Sequence, residues 1–397
     1  MLKLPKPVFN ALLGLWLAAL LHVTAPVAMA QADSKEPTDD QQQKIECYLD
    51  IEFEHSDNIF HLTDSQQSLM EANASEDSNS GRFENMESVS DDIISPTFGM
   101  KYDFKGLDGA DLKFSGRVRY NYYNKNREKS YPEAKIRLKN DIGKKGALVL
   151  EGNFLFDFYK KNYLSGYDDE NDNGNIPRDE RIYSSAIYDE YEGSLAYEYE
   201  LFKNKGNALS QMDIKPFLGF STRSYNSPFD NRGRNTAFIG VEGTLEFLSK
   251  IDLGLVYQYE KTSYPGDNEL VLFDEERFES DVNGDGEITG NAPLTTIIDR
   301  SADRHTFGIN PSFKITKDAR LYLGYEKRIS YYNSDNPLDL DHYDNTSDRT
   351  RFKAGFEYDF SKSWSTGIEY RQTDDEDDED GDYTENCFAL SVRYKLP

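Results

Sequence analysis

Apolar residues take every second place in fourteen separate segments of this chain, and that alternation narrows the possible folds more than any other feature. A period of two puts one set of side chains on each face of a strand. Thr350 to Arg371 shows the rule twice over. Phe352, Ala354, Phe356, Tyr358 and Phe360 share one face, and Arg351, Lys353, Glu357 and Asp359 share the other. After Ser361-Lys362-Ser363, Trp364, Thr366, Ile368 and Tyr370 alternate with Ser365, Gly367, Glu369 and Arg371. Three polar residues between two such runs leave room only for a tight antiparallel turn. A single hairpin of this kind also suits a half-exposed soluble sheet. Its repetition along the chain decides the matter.

The predicted strands are Ile45–His55, Ile93–Phe104, Asp111–Tyr123, Ala134–Ile142, Ala147–Tyr159, Tyr188–Glu200, Ile214–Tyr225, Thr236–Phe247, Ile251–Lys261, His305–Ile315, Arg320–Tyr331, Thr350–Phe360, Trp364–Thr373 and Cys387–Leu396. The connections alternate as well. Those after even-numbered strands are mostly short, with a longer one near Leu201–Asp213; those after odd-numbered strands are mostly longer and acidic, and 56–92, 160–187 and 262–304 are very long. Short turns at one end and long loops at the other are the layout of a transmembrane up-and-down antiparallel β-barrel, here of about 14 strands. Lipid requires closure, because an open edge would leave backbone groups unsatisfied. The last strand must then pair with the first, and its Phe388, Leu390, Val392, Tyr394 and Leu396 stand at alternate, lipid-facing places. Phe104, Tyr122, Phe158, Tyr199, Phe247, Tyr259, Phe360 and Trp364 lie near strand ends, as interfacial girdles require. The long loops are expected outside the cell and both termini in the periplasm.

Lys3 and Lys6, an apolar run from Phe9 to Leu21 and Ala28-Met29-Ala30 describe a secretory signal peptide over residues 1–30. Residues 31–44 read as a periplasmic tail and 45–397 as the barrel. The formal charge of −27 becomes −29 once Lys3 and Lys6 leave with the signal. Such charge excludes nucleic acid as a partner and suits divalent cations. Mean hydropathy is −0.75 and no long apolar run follows the signal, which excludes a helical membrane protein. Cys47 falls with the outward set and Cys387 with the inward set, so a disulfide is not expected.

Alternation also assigns the inner face. It places Lys113, Arg117 and Arg119 inside on the third strand, and Lys135, Arg137 and Lys139 on the fourth. The last five strands add Lys314, Arg320, Arg328, Arg351, Lys353, Arg371, Arg393 and Lys395. Acids line the wall elsewhere: Glu46, Asp50 and Glu52, then Glu190, Glu192 and Glu198, then Glu242 and Glu246. A basic arc facing an acidic arc would set a transverse field across a water-filled lumen. The competing expectation is that these charges pair across the interior and plug it. Fourteen strands should leave an opening, since about eight already fill with side chains.

Two loops carry a cation pattern. From Asp169, oxygen-bearing side chains fall at Asp169, Asn171 and Asn173, a glycine at Gly174, a backbone carbonyl at Asn175 and a bidentate carboxylate at Glu180. That is the spacing of a calcium loop, without flanking helices. A weaker copy uses Asp281, Asn283, Asp285 and Glu287 but has Ala292 where the last carboxylate belongs. Structural Ca2+ in extracellular loops is the expected cofactor. The run Asp374 to Asp382 has eight acids in nine residues with no ligand spacing, and reads as a solvated loop. Barrel hydrolases need histidine beside a serine or acids. His305, next to Asp303 and Arg304, is the one histidine worth testing.

The stretch YLDIEFEHSDNIFHL, with DDIISPTFGMKYDF after an acidic loop, resembles the start of outer-membrane β-barrel porin families that accompany exopolysaccharide and exosortase gene clusters. In those families a DN-aliphatic-F signature follows the first strand, and here it would be Asp57, Asn58, Ile59 and Phe60. The resemblance implies an outer-membrane barrel passing polysaccharide or small polar solutes, among lipid and lipopolysaccharide, inserted by the β-barrel assembly machinery. No catalytic residue carries over. The reading is a porin-like channel with calcium-stabilised loops. The alternatives are a non-conducting surface barrel whose loops bind a partner or lipopolysaccharide, and an outer-membrane hydrolase.

Overall fold

The computed structural model describes residues 44–73, 83, 86–105, 111–167, 181–204, 208–264, 270–272, 295–297, 299–335, 339, 342–376 and 382–396. Fourteen antiparallel strands close into one barrel. They are β1 (Lys44–Ser56), β2 (Asp91–Lys105), β3 (Asp111–Tyr123), β4 (Tyr131–Ile142), β5 (Gly146–Tyr167), β6 (Arg181–Lys203), β7 (Leu209–Tyr225), β8 (Arg234–Phe247), β9 (Ile251–Ser263), β12 (Ala302–Lys314), β13 (Ala319–Tyr332), β14 (Thr346–Asp359), β15 (Trp364–Glu376) and β16 (Tyr383–Lys395). A separate hairpin, β10 (Leu270–Leu272) with β11 (Thr295–Ile297), belongs to the connection between β9 and β12. Helix α1 (Asp64–Asn73) belongs to the connection between β1 and β2. The predicted signal peptide lies outside the described residues.

Each barrel strand pairs with its neighbour in sequence, and β1 closes on β16 from Tyr48 opposite Lys395 to Ser56 opposite Cys387. The same register separates the cysteines. Cys387 opposes Ser56, whereas the Cys47 carbonyl accepts from the Leu396 amide at the other end, roughly 30 Å away at the usual rise per residue. Both thiols are free.

The outer face is apolar where a membrane would touch it. Leu150, Leu218, Ile239 and Phe388 are each more than half exposed, on four different strands. Trp364 stacks on Phe360 with ring centroids 6.4 Å apart and packs on Tyr394 at 4.6 Å, forming one piece of the aromatic girdle. Phe158 is a correction to that girdle. At Asp157 the backbone turns to φ 51°, the register breaks between Leu155 and Phe158, and the Asp157 amide donates to Asp189 at 2.8 Å. This bulge brings Phe158 inward, against Tyr131 and Tyr188 at 4.8 and 4.9 Å. The Phe104 side chain lies outside the described residues.

Strand ends follow a pattern. At the short-turn end the predicted and observed limits nearly coincide, except that β6 runs to Lys203 rather than Glu200 and β7 starts at Leu209 rather than Ile214. At the long-loop end the ladder runs further in nearly every strand: β5 to Tyr167 rather than Tyr159, β6 from Arg181 rather than Tyr188, β14 from Thr346 rather than Thr350. The acidic run from Asp374 is corrected in the same way, because Asp374, Asp375 and Glu376 belong to β15 and Asp375 is 5% exposed.

Candidate channel lumen and its inward-folded loop

Every predicted lumen residue falls on the inner side of its strand. On β3, Lys113, Arg117 and Arg119 share a face with buried Asn121, while Leu112 and Tyr120 are exposed on the other. Lys135 and Arg137 on β4, Glu190, Glu192 and Glu198 on β6, Arg328 on β13, Arg351 and Lys353 on β14, Arg371 on β15 and Arg393 on β16 follow suit. The two opposed arcs are a correction, because acids and bases interleave. Arg119 pairs with Glu52, and Arg137 reaches both Glu151 at 3.4 Å and Glu198 at 2.6 Å. Lys135 pairs with Glu151, Arg117 with Glu133, Arg371 with Glu54 and Arg393 with Asp50. Glu192 accepts from Asn153, and Arg351 donates to Thr373. Partners sit one or two strands along the wall, where strand tilt brings inward side chains side by side. The pairs therefore run along the wall. Cavities of about 490 Å³ beside Glu52, Arg119, Tyr322 and Arg371, and about 400 Å³ beside Lys314, Arg320, Arg393 and Lys395, lie on the inner side.

The inner wall also carries aromatic rings laid flat over glycines. Phe217 stands directly opposite Gly240 and Phe238 opposite Gly219 on the paired strands β7 and β8. A β-carbon at Gly240 would come within 2.4 Å of the Phe217 ring, and one at Gly219 within 2.2 Å of Phe238. Only glycine permits this approach.

At the long-loop end the connection after β1 folds over the mouth. Ile59, Phe60 and Leu62 are buried with Met70 of α1, and pack on Ile93 and Tyr123, which face inward. Phe60 meets Tyr159 of β5 edge-on at 6.2 Å, while its neighbour His61 stacks on Tyr383 of β16 at 4.6 Å. Two consecutive residues therefore touch walls several strands apart. Each residue of the Asp57-Asn58-Ile59-Phe60 signature has a task. Asp57 binds the amide and side chain of Asn386 at 2.6 and 2.8 Å. Asn58 is 1% exposed; it accepts from the Leu62 amide and donates to the Leu62 and Thr384 carbonyls. Ile59 and Phe60 supply apolar surface. Thr63 and Gln66 cap α1 reciprocally, Thr63 Oγ1 accepting from the Gln66 amide and Gln66 Oε1 from the Thr63 amide. Lys129, in the connection between β3 and β4, sits 4.8 Å over both Phe60 and Phe158, and its ammonium donates to the Tyr159 carbonyl. Burial pushes Lys129 down to about 7.

A row of arginines on the same inner wall was not singled out by alternation: Arg223, Arg234, Arg304 and Arg349, which join Arg328. Three of them lie just beyond the predicted strand limits. His305 faces outward among Tyr257, Tyr259, Phe307 and Tyr331, and its Nδ1 lies 3.0 Å from the Tyr257 hydroxyl. His342 is buried against Asp339 at 2.7 Å. The calcium-loop residues Asp169, Asn171, Asn173, Asn175, Glu180, Asp281, Asn283, Asp285 and Glu287 lie outside the described residues. Among the described residues no group of three or more carboxylates, imidazoles or thiols could hold a metal. No described helix is long and apolar enough to cross a membrane.

A closed barrel with an apolar outer belt and a charged inner wall is built as an outer-membrane β-barrel. No family model matches the chain, and no curated relative does. Solved structures that it resembles include in-vitro folded OmpT in trimer form, an outer membrane protein of Vibrio cholerae (10% identity, TM-score 0.42, 90% of this chain and 100% of that one). Others are the outer membrane channel DcaP of Acinetobacter baumannii (10%, 0.39, 91% and 100%) and OccAB3 of the same organism (10%, 0.40, 89% and 99%). Likenesses this distant carry no functional argument.

Proposed function

We propose that the protein is an outer-membrane channel for polar solutes, with its short turns and both termini in the periplasm. The observation that carries this reading is the direction of the inner-wall ion pairs, which run along the wall, with polar cavities on its inner side. Export of polysaccharide and calcium held by the Asp169–Glu180 and Asp281–Glu287 loops are narrower parts of the same proposal, supported by the sequence patterns alone. The test is single-channel conductance of the refolded mature protein in a planar bilayer, with calcium and then with chelator. Stepwise conductance supports a pore, and a change on chelation supports metal-ordered loops; a folded but silent barrel counts against the channel.

One observation favours the second reading, a non-conducting barrel whose loops bind a partner: the buried cluster of Ile59, Phe60 and Leu62 at the mouth. Deleting residues 63–89 separates the two, since a channel should conduct at least as well and a loop-binding barrel should lose its ligand. A hydrolase has the least support, because His305 faces outward among aromatic rings.

A further inference from the structure

Five guanidiniums crowd the inner wall at the long-loop end, with fewer carboxylates than that within 4 Å of them among the described residues. Arg223 and Arg234 stand directly opposite each other on β7 and β8, and Arg328 and Arg349 do so on β13 and β14. Like charges in directly opposed places destabilise a sheet. Each pair shares one acid. Glu190 lies 2.5 Å from Arg223 but 3.8 Å from Arg234, and Asp375 lies 3.9 Å from Arg328 and 3.6 Å from Arg349. Arg304, on β12 between the two pairs, is 8% exposed; among the described residues no carboxylate lies within 4 Å of it. One of its terminal nitrogens donates to the Thr262 hydroxyl at 3.3 Å, and Ser330 and Glu260 stand opposite it in register. Arg304 is near enough to Arg234 and to Arg328 for their charges to interact. The Nε atoms of Arg234, Arg304, Arg328 and Arg349 are all buried without a hydrogen-bond partner among the described residues.

A guanidinium cannot escape burial by losing its proton, so its charge must be met by an anion. Among the described residues the carboxylates within 4 Å of these five arginines are Glu190 and Asp375, with Glu260 opposite Arg304 in register, so positive charge is in excess there. Forked N–H donors match the oxygens of a phosphate. We propose that Arg304, with Arg234 and Arg328 beside it, forms a binding site for a phosphate dianion, free or carried by a small solute. The site deepens the channel reading by naming the solute class, but binding does not itself require conduction.

The test is isothermal titration of inorganic phosphate into the refolded full-length mature protein at fixed ionic strength in chloride. Saturable binding is expected at one site, weakened at least about tenfold in Arg304→Gln and in Arg328→Gln, the second serving if the first fails to fold. Lys250→Gln, the same loss of charge in the β8–β9 turn, should leave binding unchanged. Absence of saturable phosphate binding, or equal weakening by Lys250→Gln, overturns the site. Conductance is read on the same preparation. A silent barrel that binds phosphate would sink the channel and keep the site; a conducting barrel that binds none loses only the site.

Discussion

Arg328 and Arg349 face each other directly across two adjacent strands, and Asp375 stands within 4 Å of both. Asp375 also accepts from the Tyr383 hydroxyl at 3.1 Å. Replacing it with asparagine keeps the shape and removes the charge. Asp375→Asn should lower the stability of the barrel by about 3 kcal/mol, the low end for breaking a buried pair because both guanidiniums keep some contact with water. Denaturant midpoints of the refolded protein measure this, and phosphate should restore part of the loss. An unchanged midpoint would mean that the two guanidiniums are already neutralised by something else.

Phe60 is the apolar centre of the loop over the mouth, touching Tyr159 and lying under Lys129. Phe60→Ala should weaken the packing of that loop by about 3–5 kcal/mol. If the protein conducts, the variant should show larger or longer openings in single-channel records. Identical records would show that the loop does not lie in the ion path.

Asn58 holds the same loop with three hydrogen bonds while almost completely buried. Asn58→Ala leaves the Leu62 amide and two carbonyls to find other partners, at about 1–3 kcal/mol. Limited proteolysis should cut the segment 63–90 faster in the variant, with the strands still protected.

Lys129 makes the loop sensitive to pH. Its folded value of about 7 lies below the ordinary 10.5. Between those values the unfolded segment holds a proton that the folded one has released, so the packing gains stability as pH rises through that window and loses it as pH falls towards 7. Protection of the loop from proteolysis should therefore increase from pH 7 to pH 9, and Lys129→Met should flatten the profile.

Ile239, near the middle of β8, is 58% exposed on the outer face. Ile239→Arg should cost about 2–4 kcal/mol in lipid if this face meets the bilayer core. The same change in a detergent-free aqueous domain would cost little, so a neutral result in vesicle-refolded protein contradicts the membrane belt.

The number and order of the barrel strands were legible because lipid on one side and water on the other impose a period of two within the membrane. Above the apolar belt both faces are wet, so the pattern fades while the backbone ladder continues. That is why β8, β12 and β14 start before their predicted limits, and why Arg234, Arg304 and Arg349, carried on those extensions, escaped notice. Asp375 was hidden differently, inside a run of acids that composition assigns to solvent. The Asp57-Asn58-Ile59-Phe60 stretch was visible as a resemblance, but its role was not, since Asn58 and Phe60 meet Thr384 and Tyr159 only in three dimensions. Helix α1 had a legible start in Thr63-Asp64-Ser65-Gln66, an unused capping signal.

The rings of Phe217 and Phe238 lie down because Gly240 and Gly219 give them nowhere to collide. A β-carbon at either glycine would press on that ring and also on a backbone carbonyl of the next strand, Gly193 O at 2.6 Å or Tyr257 O at 2.5 Å, so ring and strand would both have to shift and the bore with them. The calibre of the barrel is therefore governed from positions that no passing molecule would touch. Its width can drift by mutation while the chemistry of its inner surface stays the same.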